Sequence, residues 1–219
     1  MRPTRLQLAV IALLVLACAP GHATAQGDGT GTSELPPPGY GSLKQSDLAL
    51  QGSNDEIEVR FIPLDERVTR LLAWDAYASL RQLVESHRRQ IDSVASSAGV
   101  SNPGLALVSF FGRRAAARYD PQVVTVQVRN RVFRPLGIVP FTPRFTSQQL
   151  DVRQQVSAIY LFEETIPVTD GFTVAYAGVT SDDWSRKRTT LDRERAKVAA
   201  RMRGQRPDTL APVPPSGGR

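Results

Sequence analysis

The sequence predicts a mainly β fold with one long helix, arranged as an antiparallel β-sandwich, on three observations. From Leu105 to Tyr176 apolar residues recur at every second position, in runs separated by Pro and Gly. Before them, one 3.6-residue stripe runs through Val68, Leu72, Ala76, Leu80, His87 and Ile91. The single cysteine, Cys18, falls in an N-terminal leader, so the folded part is held by packing alone, which favours a domain of well over about 100 residues.

The leader occupies residues 1–25. Arg2 and Arg5 form a positive start, Leu8 to Ala17 is apolar without a charge, and Ala23-Thr24-Ala25 supplies the small-x-small pattern of a signal-peptidase site before Gln26. Ten apolar residues are too few to span a bilayer. A second processing site overlaps the first, because Val15-Leu16-Ala17-Cys18 resembles a bacterial lipobox and makes Cys18 the candidate lipidation site. Both alternatives imply export. Cleavage after Ala25 gives a periplasmic or secreted protein, whereas a lipid on Cys18 gives an outer-membrane lipoprotein.

Residues 26–55 carry Gly27, Gly29 and Gly31, then Pro36-Pro37-Pro38-Gly39, without apolar periodicity, and read as a flexible linker. The sandwich domain is expected over 56–185. It opens with a half-buried strand in which Ile57, Val59 and Phe61 alternate with charged residues. Asp65 is placed to cap the helix expected over 66–97, and Gly99 to close it in the left-handed conformation. Unbroken, that helix would be about 48 Å long.

Leu105 to Phe111 is apolar on both faces, as a central strand covered on two sides requires. Val124, Val126 and Val128 face one way, with Thr125, Gln127 and Arg129 opposite, and Asn130-Arg131 turns the chain into Val132-Phe133-Arg134. Pro135, Pro140 and Pro143 confine Ile138 to Phe141 to a short edge strand. Gln149 to Phe162 is the longest expected strand, and Phe172, Val174 and Tyr176 form the last. The order of strands and turns resembles an immunoglobulin-like domain with a helix inserted after its first strand. The resemblance is one of spacing, without the Cys-Trp-Cys signature, and implies a fold but no function.

The net charge of +6 is unevenly distributed. Residues 56–185 hold 14 basic and 14 acidic side chains, whereas residues 186–206 hold nine basic ones against Asp192 and Glu194. The basicity therefore belongs to a C-terminal region, 186–219, read as a solvated helix over Thr189 to Arg203 followed by a Pro-, Gly- and Ser-rich disordered tail. Within it Arg186, Lys187, Arg188, Arg193 and Arg195 are candidate contacts to an anionic membrane surface. No aromatic residues interleave with them, which disfavours nucleic acid.

No catalytic, cofactor or metal motif is expected. His87 is the only histidine of the domain, which excludes a histidine-based metal cluster, and it falls on the apolar stripe as a packed side chain. There is no G-x-S-x-G turn for a serine nucleophile. Glu163, Glu164, Asp170, Asp182 and Asp183 are the carboxylates available to a hydrolase. Trp74, Tyr77 and Trp184 are the candidate binding surface, since aromatic rings stack on sugars and anchor protein contacts, but their places beside the helical stripe and at the domain's end favour the alternative that they extend the core or clamp the termini. These observations favour an exported, non-enzymatic binding or structural module with an envelope protein or glycan as partner. A carboxylate-dependent hydrolase and membrane attachment through the basic segment are the alternatives.

Overall fold

The structure is a computed structural model and describes residues 35–204; Cys18, both processing sites and the tail beyond Gly204 lie outside the described residues. It opens with a one-turn helix α1 (Gln45–Leu48), strands β1 (Leu50–Ser53) and β2 (Ile57–Pro63), and helices α2 (Glu66–Thr69), α3 (Trp74–Ser86) and α4 (Arg88–Ser97). Strands β3 (Gly104–Gly112), β4 (Ala117–Arg118), β5 (Thr125–Val128), β6 (Arg131–Phe133) and β7 (Pro135–Pro140) follow. Then come β8 (Gln149–Leu150), β9 (Gln155–Phe162), β10 (Thr173–Tyr176), β11 (Val179–Ser181) and the long helix α5 (Trp184–Gly204).

The strands form a five-stranded sheet in the order β1-β2-β3-β9-β7, a four-stranded sheet in the order β11-β10-β5-β6, and the short pair β4-β8. Every pairing is antiparallel. Helix makes up 34% of the described residues and strand 32%, so the fold is mixed instead of mainly β. The two larger sheets share one core and are consistent with a β-sandwich.

Alternation explains how the layers assemble. One face of β3 and β9 sends Val108, Phe110, Val156, Tyr160 and Phe162 toward Val126, Val174 and Tyr176 of the other sheet. The opposite face carries Ile159 and Leu161, which meet Ile91 and Ala95 of α4 and Val139 of β7 in a second core. The two-sided apolar run of the central strands is thus covered by a sheet on one side and by helices on the other. Each large side chain so buried contributes about 1.5–3 kcal/mol. Ser109 and Ser157, opposite one another in β3 and β9, satisfy each other at 2.7 Å between their hydroxyl oxygens.

The expected helix over 66–97 is divided into three. Asp65 caps its start, accepting from the Arg67 amide at 2.8 Å, but the helix stops at Thr69 because the backbone that follows is taken by another segment. The Leu43 amide donates to the Leu71 carbonyl at 3.2 Å and the Ala73 amide donates to the Leu43 carbonyl at 2.8 Å, making a parallel bridge between Leu43 and Leu72. A second interruption falls at His87, whose φ of −109° and ψ of 8° leave the helical region. Its Nδ1 lies 2.9 Å from the Leu83 carbonyl and its ring packs on Phe141, the packed role its position on the stripe predicts. Gly99 closes α4 at φ +69°.

Three other expectations are revised. Residues 26–55 read as linker, yet Leu43, Leu48, Ala49 and Leu50 are buried and 45–53 carries α1 and β1; a single helical turn running into a strand gives these residues neither a period of two nor of 3.6. The expected strand over Gln149 to Phe162 breaks between β8 and β9, where Arg153 takes φ +64° and leaves Val152 exposed. The basic helix starts earlier than expected and is docked, with Trp184, Leu191, Glu194 and Val198 buried on one narrow stripe. The edge position of β7, bounded by Pro135 and Pro140, agrees with the proline argument.

Candidate functional site

Of the three aromatic residues of the candidate surface, only Trp74 is at the surface, and Tyr77 and Trp184 extend the core. It is 60% exposed at the start of α3, its ring close against Gly39 and 6.1 Å from that of Tyr77. Tyr77 is buried, with its hydroxyl 3.2 Å from Glu66 Oε2. Trp184 is fully buried: its indole N–H donates to the Val168 carbonyl at 3.0 Å and its ring lies 4.8 Å from that of Phe172. Trp184 is therefore a core residue that seats α5 and takes no part in a binding face, because α5 turns inward at its first residue.

The carboxylates divide by position. Glu164, at the end of β9, accepts from Arg131 at 2.6 and 3.2 Å, and the same guanidinium lies 4.7 Å above the Phe133 ring. Glu164 and Asp170 line one cleft of about 470 Å³ beneath the β5–β6 hairpin, together with Arg129, Arg131 and Thr165. Asp182 and Asp183 lie outside that lining; Asp183 is ion-paired with Arg186, and the Asp182 carbonyl accepts from Ser185. Among the described residues no group of three or more His, Cys, Asp or Glu side chains could hold a metal ion.

The five candidate contacts among the basic residues of α5 have unequal surroundings. Lys187 is half-buried and donates to the Ser46 and Asp47 carbonyls at 3.1 and 3.3 Å, and burial lowers its pKa. Arg188 donates to the Asp170 carbonyl at 3.1 Å. Arg195 pairs with Asp192 at 2.6 Å, while Arg186 and Arg193 are exposed on the side away from the buried stripe. Lys187 and Arg188 thus fasten the helix to α1 and to the loop at Asp170, and the outward positions carry the remaining charge.

Four further arrangements were not singled out in the sequence. The first is Glu194, buried on α5, which accepts from the Ser42 amide at 2.9 Å, the Ser42 hydroxyl at 2.8 Å and Arg201 at 3.1 Å. Burial alone would raise its pKa, but the Ser42 and Arg201 donors outweigh burial and hold it below the ordinary carboxylate value. Its spacing of three from Leu191 and four from Val198 is the signal that places it on the buried stripe.

The second is a group of buried tyrosines. The Tyr119 hydroxyl donates to the Phe145 carbonyl and that of Tyr160 to the Pro121 carbonyl at 2.9 Å, with Tyr176 beside them. Burial and then the proximity of Tyr176 push the Tyr119 pKa up to about 12. The third is a trough on the helical side. Its two parts, of about 340 and 490 Å³, both include Arg88 and Leu105 in their linings.

The fourth is the outward face of the four-stranded sheet. Register aligns Val132, Gln127 and Thr173 in one row and Thr125, Ala175 and Thr180 in the next. All six are half-exposed or exposed, none is charged and none is aromatic. Val132 is 58% exposed on edge strand β6, and Arg129 and Asn130 form the adjoining turn. Five of the six side chains are short, Gln127 being the longer one, and the period of two is the signal that predicts the face.

No helix among the described residues is long and apolar enough to cross a membrane. Compared with family models, with curated proteins and with solved structures, the chain matches none.

Proposed function

We propose that this chain is an exported, non-enzymatic binding or structural module of the cell envelope or secreted fraction, and that it meets an envelope protein or glycan on the outward face of its four-stranded sheet. One observation carries the reading. In a chain with 22% charged residues, six neighbouring outward positions, Thr125, Gln127, Val132, Thr173, Ala175 and Thr180, hold no charge. All but Gln127 carry short side chains that lose little rotamer freedom when covered, so most of this face docks at a low entropic cost. The other sheet uses its corresponding face to seat α4. The sandwich is read as immunoglobulin-like in pattern, supported by antiparallel pairing throughout and by the passage of the chain between sheets at Arg134, the one residue separating β6 from β7. Export and the choice between a free Gln26 and a lipid on Cys18 are part of the same proposal, and the mass of the mature N-terminus distinguishes them.

The test is retention of the purified protein by envelope fractions. A Gln127→Lys, Thr180→Lys variant, with its two charges on non-adjacent strands, should melt like the parent and lose retention about tenfold or more, since two unpaired charges would be buried at the contact. Unchanged retention of that variant, or turnover of a substrate by a protein that no fraction retains, would refute the reading.

A second reading, a carboxylate-dependent hydrolase acting on an envelope polymer, is favoured by the shared cleft of Glu164 and Asp170. The Arg131 guanidinium holds the Glu164 carboxylate at 2.6 Å, and Glu164 and Asp170 are the two carboxylates such a mechanism would use. Hydrolysis of envelope polymers that Glu164→Gln abolishes would support it, and hydrolysis untouched by Glu164→Gln and Asp170→Asn would exclude this site.

A further inference from the structure

We propose that the outward face of α5 attaches the domain to an anionic phospholipid surface, lying on the bilayer by charge alone and inserting nothing into it. The export reading supplies the place where such a surface is met; the open sheet face plays no part. The charge of the molecule is concentrated on this one element. α5 holds eight basic side chains against Asp192 and Glu194, a surplus equal to the +6 of the whole chain. The neighbouring acids are already paired: Asp183 with Arg186, Asp192 with Arg195 at 2.6 Å, and the buried Glu194 with Lys197 and Arg201 at 3.6 and 3.1 Å. Asp182, exposed just before the first turn, sets the N-terminal limit of the cationic stretch. Arg193 and Arg203 are exposed and, among the described residues, have no carboxylate within ion-pair distance.

At about 100° per residue, Arg186, Arg193 and Arg203 fall on the side opposite the buried Trp184, Leu191 and Val198 and span about 25 Å of the axis. Lys197 lies on one flank and the Asp192–Arg195 pair on the other. Between the three arginines stand only short exposed side chains, Thr189, Ala196 and Ala200.

This shape selects a planar partner with many separate anions. The face is the convex side of a helix, and none of the three clefts described above takes a lining residue from α5. It carries no aromatic side chain to stack on bases and no large apolar one to anchor a protein. Its cations are about 10 and 15 Å apart along the axis. A fluid bilayer brings a headgroup to each, whereas a folded acidic partner needs carboxylates fixed at that spacing. The apolar stripe that an amphipathic helix sinks into a membrane is here part of the domain core, so the contact stays at the headgroups. The chain also enters the domain along this element. The Tyr40 carbonyl accepts from Arg201 and the Ser42 amide donates to Glu194, which sets the segment after the expected leader beside the second half of α5.

The experiment is cosedimentation with phosphatidylcholine vesicles, with and without phosphatidylglycerol, of the chain from Gln26 to Arg219. That is the form cleavage after Ala25 leaves, and it holds every described residue without leader or lipid. Binding is expected only with phosphatidylglycerol, and it should disappear between about 0.05 and 0.5 M salt as the Debye length falls to about 4 Å. Each basic side chain near such a surface strengthens binding about fivefold, so Arg193→Gln with Arg203→Gln should weaken it about 25-fold, while lysine at both positions should preserve it. Neither arginine is ion-paired in the fold, and matching melting curves verify that the variants are intact. These changes leave the sheet face untouched, and the mass of the mature N-terminus tests export separately, so the readings fail independently. Equal binding to phosphatidylcholine alone, binding that persists in high salt, a double glutamine variant that binds like the parent, or tighter binding to duplex DNA or polyglutamate would each overturn the proposal.

Discussion

Replacing Glu194 by alanine tests how the N-terminal segment is attached to the domain. The carboxylate is 2% exposed and receives three hydrogen bonds, two from Ser42 and one from Arg201, with Lys197 3.6 Å away. Hydrogen bonds to a charged group are worth about 1.5–3 kcal/mol, but Ser42 and Arg201 are exposed enough to regain water when the carboxylate is lost. The net cost of Glu194→Ala is therefore about 2–3 kcal/mol, near that of one such bond plus lost packing. In a domain of this size that lowers Tm by about 4–12 °C. Glu194→Gln keeps an acceptor and should cost about half as much.

The same group has a pH signature. Its folded pKa lies below the ordinary value of 4.5, so the carboxylate's contribution is complete above about 4.5 and disappears as pH falls through the lower folded value. Urea titrations between pH 7 and pH 3 should show this loss in the parent and less of it in Glu194→Gln. A cycle with Ser42→Ala should give a coupling of about 1 kcal/mol. Additive single effects, or a Glu194→Ala change under 0.5 kcal/mol (roughly the scatter of neutral surface substitutions), would refute the clasp.

Three further outcomes follow from the packing. Trp184→Ala should cost about 3–5 kcal/mol in chemical denaturation, because it empties the seat of α5 and leaves the Val168 carbonyl without its indole donor. Gly137→Ala should destabilise by about 1–3 kcal/mol, since a Cβ there meets Val94 of α4 within contact distance, and Val94→Ala in the same chain should restore part of the loss. In alkali, Tyr119 should ionise near pH 12 in the folded protein. The unfolded chain ionises that phenol first, so stability falls as pH rises from about 10 to 12, which ultraviolet titration and melting curves read together.

Several structural features could be read from local pattern. The two-sided apolar character of Leu105 to Phe111 announced a strand between two layers, and the structure sets it between the second sheet and α4. Thr125 and Gln127 opposite Val126 already described a half-solvated sheet face. The Asp65 cap, the Gly99 terminator and the edge position of a proline-bounded strand needed only neighbours in sequence, because caps and proline act within a few residues.

Other features depended on partners far along the chain. The stripe from Val68 to Ala98 is a sound helical pattern, and nothing within it announces that Leu43, nearly 30 residues earlier, takes the backbone groups of Leu71 and Ala73 and ends α2. The sequence favours a core or terminus-clamping Trp184 without saying what it packs on, and Val168 and Phe172 supply that seat only in three dimensions. Glu194 is one acid among many basic residues in sequence, and only the docking of α5 against Ser42 makes it a buried clasp. The trough likewise draws its lining from α2, α3, α4 and β3, elements that local periodicity cannot bring together. By itself the sequence determined which side chains could be buried, because periodicity follows from the geometry of one element. Tertiary structure alone decided which elements met and which charges were paired, because hydrogen-bond partners and shared cavities depend on distance in space and not on separation along the chain.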